Sequence, residues 1–361
     1  MKNLKNKGSN TKSGKKQDKP ALKYMLIIFA AVAVIAIGVV LAYDILWRAN
    51  INCESGKYKN FYVLRGATWE NVKESLIAKD LIRNEMEFDH AIMLFAKGKE
   101  PQCGFYSLEP GISNRSFINR VAYGLSNKVP MEVKMTRYTR WVARNLSRQL
   151  DVDSASLYKA FTADTTLRKF GLTEASSLAM FVRFKRDVCW CSTADDVART
   201  VADEYNKFWN AERLVKCNEI ELTPIQVTIL ASIVEEETND YDDRRMVAGV
   251  YMNRIRKGMP LQSCPTVRYA WGDFSIKRVL KAHLEIDSPY NTYKYQGMPP
   301  GPIRIPSKNA IDAVLNYEHH NYYYMCAKSD FSGTHDYSTT FRQHSQYARK
   351  YQKNLNKKGI K

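Results

Sequence analysis

Acidic side chains are scarce here: 37 Asp and Glu stand against 55 Lys and Arg, a formal net charge of +18. The excess points to an anionic partner, with nucleic acid, an anionic wall polymer and membrane headgroups all fitting the charge. Part of it is simply a lysine-rich start. Cysteine is also sparse. The seven are Cys53, Cys103, Cys189, Cys191, Cys217, Cys264 and Cys326, an odd number that leaves at least one unpaired in a monomer. Cys189-Trp-Cys191 is too tight for an ordinary structural zinc pair and no second C-x-x-C accompanies it. No Gly-rich phosphate loop, G-x-S-x-G or H-E-x-x-H occurs, which removes the common nucleotide, serine-hydrolase and zincin readings. No metal and no cofactor are therefore expected. What remains is ordinary: 45% hydrophobic residues in 361 suffice for a sizeable core and two or three domains.

One long apolar run is present. Met25 to Tyr43 carries no charge and reaches about 28 Å as a helix, close to the hydrocarbon thickness of a bilayer. A cleaved signal peptide has a shorter apolar core and small residues at its cleavage site. Here Tyr43 and Trp47 follow, residue types that suit the interfacial belt. The expectation is a transmembrane helix over 25–46. The eight lysines before it place residues 1–24 in the cytoplasm as a disordered basic tail, and everything from about residue 48 outside.

Beyond the anchor, Phe61–Leu64 reads as a strand, and Thr68 caps a helix carrying Trp69, Val72 and Leu76 on one face. Glu85–Lys97 is a second helix, Gly104–Leu108 a second strand, and a helix follows near Ser116–Leu125. A strand, two helices and a strand over 55–128 make a compact unit of the kind small glycan-binding modules use; a plain packing domain gives the same pattern. Residues 130–220 say less. Arg140, Arg144 and Arg148 recur every four residues on one helical face, a solvated-face pattern, and the basic and aromatic run Phe181–Arg186 reads equally as a contact for an anionic polymer or as an ordinary exposed loop or edge strand.

The stretch Leu230–Val267 carries the chemistry. Thr223 and Pro224 open a helix in which Ile225, Ile229 and Ile233 recur every four residues. Four further along is Glu237, in the cluster Glu235-Glu236-Glu237. The spacing puts Glu237 on the buried face, Glu235 on its flank and Glu236 in solvent. A carboxyl at the end of an apolar stripe and at a helix C-terminus is disfavoured as an anion, which suits a general acid. A salt bridge to Arg244, Arg245 or Arg254 is the structural alternative. Asp240, Asp242 and Asp243 read as an acidic turn without the Gly and distal Glu of a calcium loop. A helix over Met246–Ile255 then delivers Asn253 and Arg254. Gln262, Pro265 and Thr266 fall in a loop, and Tyr290–Tyr293 and Gly297–Pro302 follow. Tyr322–Lys328 and Thr334–Ser338 form a hairpin bearing His335, and Phe341–Asn354 is a basic helix.

Ala231–Thr238, Val250–Arg254, Gly258–Gln262, Pro265–Val267, Tyr290–Tyr293, Gly297–Pro302 and the His335 hairpin, in this order, resemble the YceG-like family of endolytic murein transglycosylases. The resemblance covers most of 55–350. It implies an α+β fold: a single N-terminal transmembrane helix, a LysM-like βααβ unit over 55–128, and a mixed α+β catalytic domain over 129–354. It implies a single-pass protein of the inner (plasma) membrane with an extracytoplasmic catalytic domain. Its expected partners are peptidoglycan strands, the membrane and peptidoglycan synthases of elongation or division, with no nucleic acid. The implied reaction cleaves the MurNAc–GlcNAc β-1,4 bond without water, as the C6 hydroxyl of MurNAc attacks its own anomeric carbon to leave a 1,6-anhydro end. One carboxyl suffices for this, Glu235 or Glu237, with the helical stripe favouring Glu237. Asn253, Gln262, Thr266, Tyr290, Asn291 and His335 are the implied groove residues. A hydrolytic muramidase would need a second carboxylate, for which Asp240 and Asp242 are candidates. A non-catalytic wall-binding scaffold would need none. Two positions depart from the family pattern: Cys264, where Asp usually precedes Pro-Thr-Val, and Arg183–Arg186, where a Pro, a polar residue and Thr usually stand.

Overall fold

The computed structural model describes residues 19–47, 50–51, 57–276 and 278–359, so most of the lysine-rich tail, and Cys53, lie outside it. The chain forms two compact units that divide after Ser126.

The first unit opens with α1 (Lys19–Trp47). Within it Lys23–Asp44 has a mean hydropathy of 3.1, and none of its most apolar stretch is covered by protein. By length and composition this helix is able to cross a membrane. Next come β1 (Lys59–Val63), α2 (Trp69–Ala78), α3 (Glu85–Phe95), β2 (Gly104–Leu108) and α4 (Asn114–Ala122). The expected βααβ order is present, with β1 and β2 antiparallel and Phe61 opposite Tyr106. Thr68 caps α2 in a reciprocal capping box with Asn71. Phe61, Leu76, Phe88, Tyr106 and Phe117 make the core, with the Phe61 and Phe117 rings edge to face at 5.7 Å.

The second unit contains β3 (Lys128–Val133), α5 (Thr139–Ser147), α6 (Ser154–Thr162), α7 (Asp164–Phe170), β4 (Phe184–Cys189), α8 (Ala194–Phe208), α9 (Ala211–Glu219), α10 (Pro224–Glu237), α11 (Tyr241–Arg256), α12 (Cys264–Trp271), α13 (Lys308–Leu315), β5 (Tyr324–Ala327), β6 (His335–Ser338) and α14 (Phe341–Lys357). Its two small sheets, β3–β4 and β5–β6, are antiparallel pairs. The Phe181–Arg186 run feeds β4, where Phe184 is buried and Lys185 and Arg186 face solvent.

Helix α10 organises this unit. Every residue from Val227 to Glu235 is buried, on all sides of the helix. A helix that is apolar all round belongs inside a core. Leu230, Ala231, Ile233 and Val234 pack against Val247, Ala248 and Tyr251 of α11 and Ala310, Ile311 and Val314 of α13. Gly249 lets the chain near Glu318 and His320 lie directly on α11: a Cβ there would collide with the Glu318 carbonyl oxygen and the His320 ring.

Three local expectations are corrected. The acidic stretch Asp240–Asp243 is no free turn. Asp240 is the N-cap of α11, accepting from the Asp243 N–H at 2.8 Å, so α11 starts at Tyr241 rather than Met246. Pro265 and Thr266 lie in α12 rather than in a loop, because proline is well placed in a first helical turn. Glu236 is not in solvent, since its side chain is only 9% exposed. A single stripe was too narrow a description of a helix buried on every side.

Candidate active site

The last turn of α10 presents three carboxylates at successive rotations of about 100°. Their surroundings divide them. Glu235 is buried and accepts from Arg183 Nη2 at 2.7 Å and from the Ser307 N–H at 3.2 Å, with Arg304 Nε at 3.3 Å. Glu236 accepts from Arg137 Nη2 at 2.9 Å and from Arg304 Nη1. Arg304 thus bridges both. Arg183 also donates through Nε and Nη2 to the Ile305 carbonyl, and burial pulls its pKa below the usual arginine value despite the Glu235 charge. These carboxylates are fastened into the fold, as buried charges must be.

Glu237 is different. It is half-buried and makes no ion pair among the described residues. The three arginines offered as partners by the sequence go elsewhere: Arg244 donates to the Thr238 carbonyl, Arg245 to Glu318 and the Asn316 carbonyl, and Arg254 to the Tyr323 and Leu261 carbonyls. Instead Tyr251 Oη at 2.7 Å and Ser263 Oγ at 2.8 Å both donate to Glu237 Oε1. Oε2 has no protein donor among the described residues. The carboxylate is therefore held by one oxygen, with the other unclaimed by the protein.

Local chain geometry explains why Ser263 is there. Gln262 adopts a left-handed φ of +50°, rare for a residue with a Cβ, and its N–H donates to the Thr292 carbonyl at 3.0 Å. The Ser263 N–H donates to Thr292 Oγ1 at 2.9 Å, and Thr266 Oγ1 lies 2.8 Å from the same oxygen. Thr266 is wholly buried, so it supports the loop, whereas the Gln262 side chain is exposed. Cys264 is exposed next to Ser263, with its Sγ 3.2 Å from Tyr293 Oη.

The remaining expected residues fall into two groups. Asn253 and Asn291 hold backbone. The Asn253 amide donates to the His320 and Tyr322 carbonyls at 2.7 and 2.9 Å, and the Asn291 amide to the Leu284 and Ile286 carbonyls at 2.8 and 2.9 Å. Tyr290 and His335 are different. The Tyr290 ring lies 4.7 Å from that of Tyr269, which stacks on Tyr138 at 5.4 Å, and these rings line a cavity of about 250 Å³. His335 sits in a buried network: its Nδ1 is 2.8 Å from Asp243 Oδ2, while Asp243 Oδ1 accepts from Tyr337 Oη at 2.6 Å. Burial works against the charged imidazole. The Asp243 hydrogen bond and the nearby charge of Glu237 outweigh it and hold the His335 pKa above its usual value. Burial likewise opposes the Asp243 anion, but donors from His335 and Tyr337 bring its pKa below the usual aspartate value.

Sequence reasoning missed Tyr251, Ser263 and Asp243. Tyr251 lies within the Val250–Arg254 motif and is also a core residue, being fully buried. Ser263 sat unremarked between Gln262 and Cys264. Among the described residues no group of three or more His, Cys, Asp or Glu is gathered as a metal site would require.

With this geometry in view, the likeness to known proteins has a place to land. A family model described as the YceG-like family matches residues 61–350. The chain is 28% identical over 318 residues to the endolytic murein transglycosylase of Bacillus subtilis (strain 168), covering 83% of this chain and 86% of that protein. It is 40% identical over 99 residues to the endolytic murein transglycosylase of Streptococcus pneumoniae serotype 2, 26% of this chain and 18% of that protein. Among solved structures, a yceG-like protein from Listeria monocytogenes matches with a TM-score of 0.54 at 21% identity, over 81% of this chain and 99% of that one. At that identity the likeness concerns the fold alone, and it agrees with the mixed α+β fold described above. The family match covers the βααβ elements, the carboxylate helix and the His335 hairpin in one continuous span, and the chain belongs to the YceG-like family.

Proposed function

We propose that this chain is a membrane-anchored endolytic murein transglycosylase, a lyase that cleaves the MurNAc–GlcNAc β-1,4 bond within glycan strands and leaves 1,6-anhydro ends. Glu237 is its acid and base. The observation that carries this is the division of the glutamate cluster: Glu235 and Glu236 are bound by arginines, and Glu237 is held only by two neutral hydroxyls, both on Oε1, which leaves its Oε2 without a protein donor among the described residues.

The chemistry follows from that oxygen. Two hydroxyl donors occupy Oε1, so a proton carried by Glu237 resides on Oε2. It passes to the leaving glycosidic oxygen as the C1–O bond breaks. The resulting carboxylate then takes the proton of the C6 hydroxyl as that oxygen bonds to C1. The same group is regenerated, no water is consumed, and a second carboxylate is not required. Asp240, a candidate for such a second group, is occupied in capping α11, which gives the hydrolytic reading no support. Asn253, Asn291 and Thr266 act in this scheme by holding the loops around Ser263 and the hairpin, while Gln262, Tyr290 and His335 face the glycan. The βααβ unit over 55–128 is a LysM-like glycan binder. Helix α1 anchors the protein in the plasma membrane with the tail cytoplasmic and the remainder outside.

The test is product mass. Full-length protein in detergent is incubated with peptidoglycan and the released fragments are weighed. Anhydro-ended fragments are the expected result. Fragments one water heavier would replace this reaction with hydrolysis, and no cleavage where the Bacillus subtilis relative cleaves would leave a wall-binding scaffold.

A further inference from the structure

The face of α5 that bears Arg144 and Arg148 does more than meet solvent. Both side chains line a concavity of about 390 Å³, together with Met135, Arg137, Trp141 and Phe274. That volume lies within the range of small-ligand sites. The wall is mixed in a specific way. Trp141, Met135 and Phe274 supply apolar surface, and Trp141 is 40% exposed. Arg137 is fixed, paired with Glu236 at 2.9 Å and lying 4.1 Å over the Phe274 ring. Arg144 and Arg148 are exposed and have no carboxylate partner among the described residues. They stand one helical turn apart on the same face, at the negative end of the α5 dipole, where cations are favourably placed.

This concavity adjoins the tyrosine-lined one. Arg137 lines both, and the Tyr138 ring meets Trp141 edge to face at 4.7 Å and stacks on Tyr269 at 5.4 Å. From Ser263, which holds Glu237, to Tyr269 is roughly 9 Å along α12. Aromatic surface thus runs from near the carboxylate through Tyr290, Tyr269 and Tyr138 to Trp141, and ends at two unpaired guanidinium groups.

We propose that this concavity binds a carboxylate of an acidic peptide attached to the glycan, while the tyrosines hold the sugars. The proposal rests on the murein reading above, since murein strands carry short peptides with free carboxylates. Guanidinium groups match carboxylates in planar, two-point geometry. The apolar wall fits the aliphatic part of such a peptide better than it fits a polyol-phosphate chain.

Affinity is measured on full-length protein in detergent with four soluble probes: a GlcNAc–MurNAc disaccharide, the same disaccharide bearing a tetrapeptide, that compound with its peptide carboxylates amidated, and a glycerol-phosphate oligomer. None of them contains the MurNAc–GlcNAc bond, so binding is read without turnover. The peptide-bearing probe should bind more tightly than the bare or amidated ones. In Arg144→Ala and Arg148→Ala that preference should fall about tenfold for each arginine, the size of one charge-assisted hydrogen bond, and the Arg→Lys variants should recover part of it. Equal binding of the first three probes overturns the proposal. So does a preference that survives both alanine substitutions, or stronger binding of the phosphate oligomer. Failure of the cleavage reading would show in product mass and would leave these affinities as they are.

Discussion

Two sides of one helical turn make the instructive comparison in this protein. On one side of the α10 terminus, Glu235 and Glu236 meet Arg137, Arg183 and Arg304. On the other, Glu237 meets, among the described residues, the hydroxyls of Tyr251 and Ser263 and no cation. The three residues are chemically identical and adjacent, yet two are met by cations and the third by neutral hydroxyls. Ion pairing satisfies a buried carboxylate and fixes it, which helps the fold and removes the group from proton traffic. Neutral donors on a single oxygen orient a carboxylate while leaving it able to exchange a proton. Arg183, in the stretch read from the sequence as unlike the family pattern, is the partner of Glu235.

The largest effect should come from comparing the same conservative change on the two sides. Glu237→Gln is expected to lower cleavage of peptidoglycan by about 10²–10⁴-fold, the usual contribution of a general acid–base, with little change in melting temperature. Glu235→Gln should do the reverse, with a lower melting temperature and retained cleavage per folded molecule. Equal rate losses, measured by release of anhydro fragments, would erase the distinction.

Arg304 sharpens the same contrast from its partner's end. Arg304→Met leaves two buried carboxylates without their shared cation, and breaking a buried pair from one end costs about 3–5 kcal/mol. Urea unfolding of the protein should show a loss of that order. A loss below about 1 kcal/mol would mean that solvent already screens the clasp. On the other side Tyr251→Phe removes one donor to Glu237 Oε1 and should slow cleavage by about tenfold, the value of one hydrogen bond to a charged group. Because the ring stays and its packing is kept, stability should change little.

The sequence exposed some of this and hid the rest for physical reasons. The apolar anchor, the capped helices of the first unit and the start of α10 depend on neighbouring residues, so local patterns reveal them: Thr68 with Asn71, and Thr223 with Pro224. Which glutamate stands apart depends on Arg183, Arg304 and Ser263, between 26 and 68 positions away. No periodicity carries that information. The stripe argument put Glu237 on the buried face, Glu235 on its flank and Glu236 in solvent; Glu235 is instead the most buried and the other two are half-buried, because a helix enclosed on all sides has no solvent face. Helix α12 was hidden because its first turn holds Pro265, which reads as a loop residue unless the turn is known to open a helix. The cavity beside α5 was equally out of reach, since an arginine row on one face looks the same over open solvent as over a hollow.

The smallest effect concerns the pair that flanks the hydroxyl side, His335 with Asp243. Its hairpin is tied to the end of α10 by Thr238 Oγ1, which donates to the Gly333 carbonyl at 3.1 Å. The folded His335 pKa lies above the unfolded value of about 6.5, so the folded state binds the proton more tightly than the unfolded one. The stability that follows is complete below the unfolded pKa and is lost as pH rises through the folded one. Asp243 behaves oppositely. Its lowered pKa contributes stability above the unfolded value of about 3.8, lost as pH falls through the folded value. Between those limits His335→Gln should cost more at pH 5.5 than at pH 8.5, and Asp243→Asn should abolish that difference, because the imidazole then has no anion to hold its proton. Melting temperatures of wild type and both variants at the two pH values decide the matter. A His335→Gln penalty independent of pH would mean that the ring packs against Asp243 as a neutral group, and the hydroxyl side of the turn would then contain no proton-binding partner for Glu237.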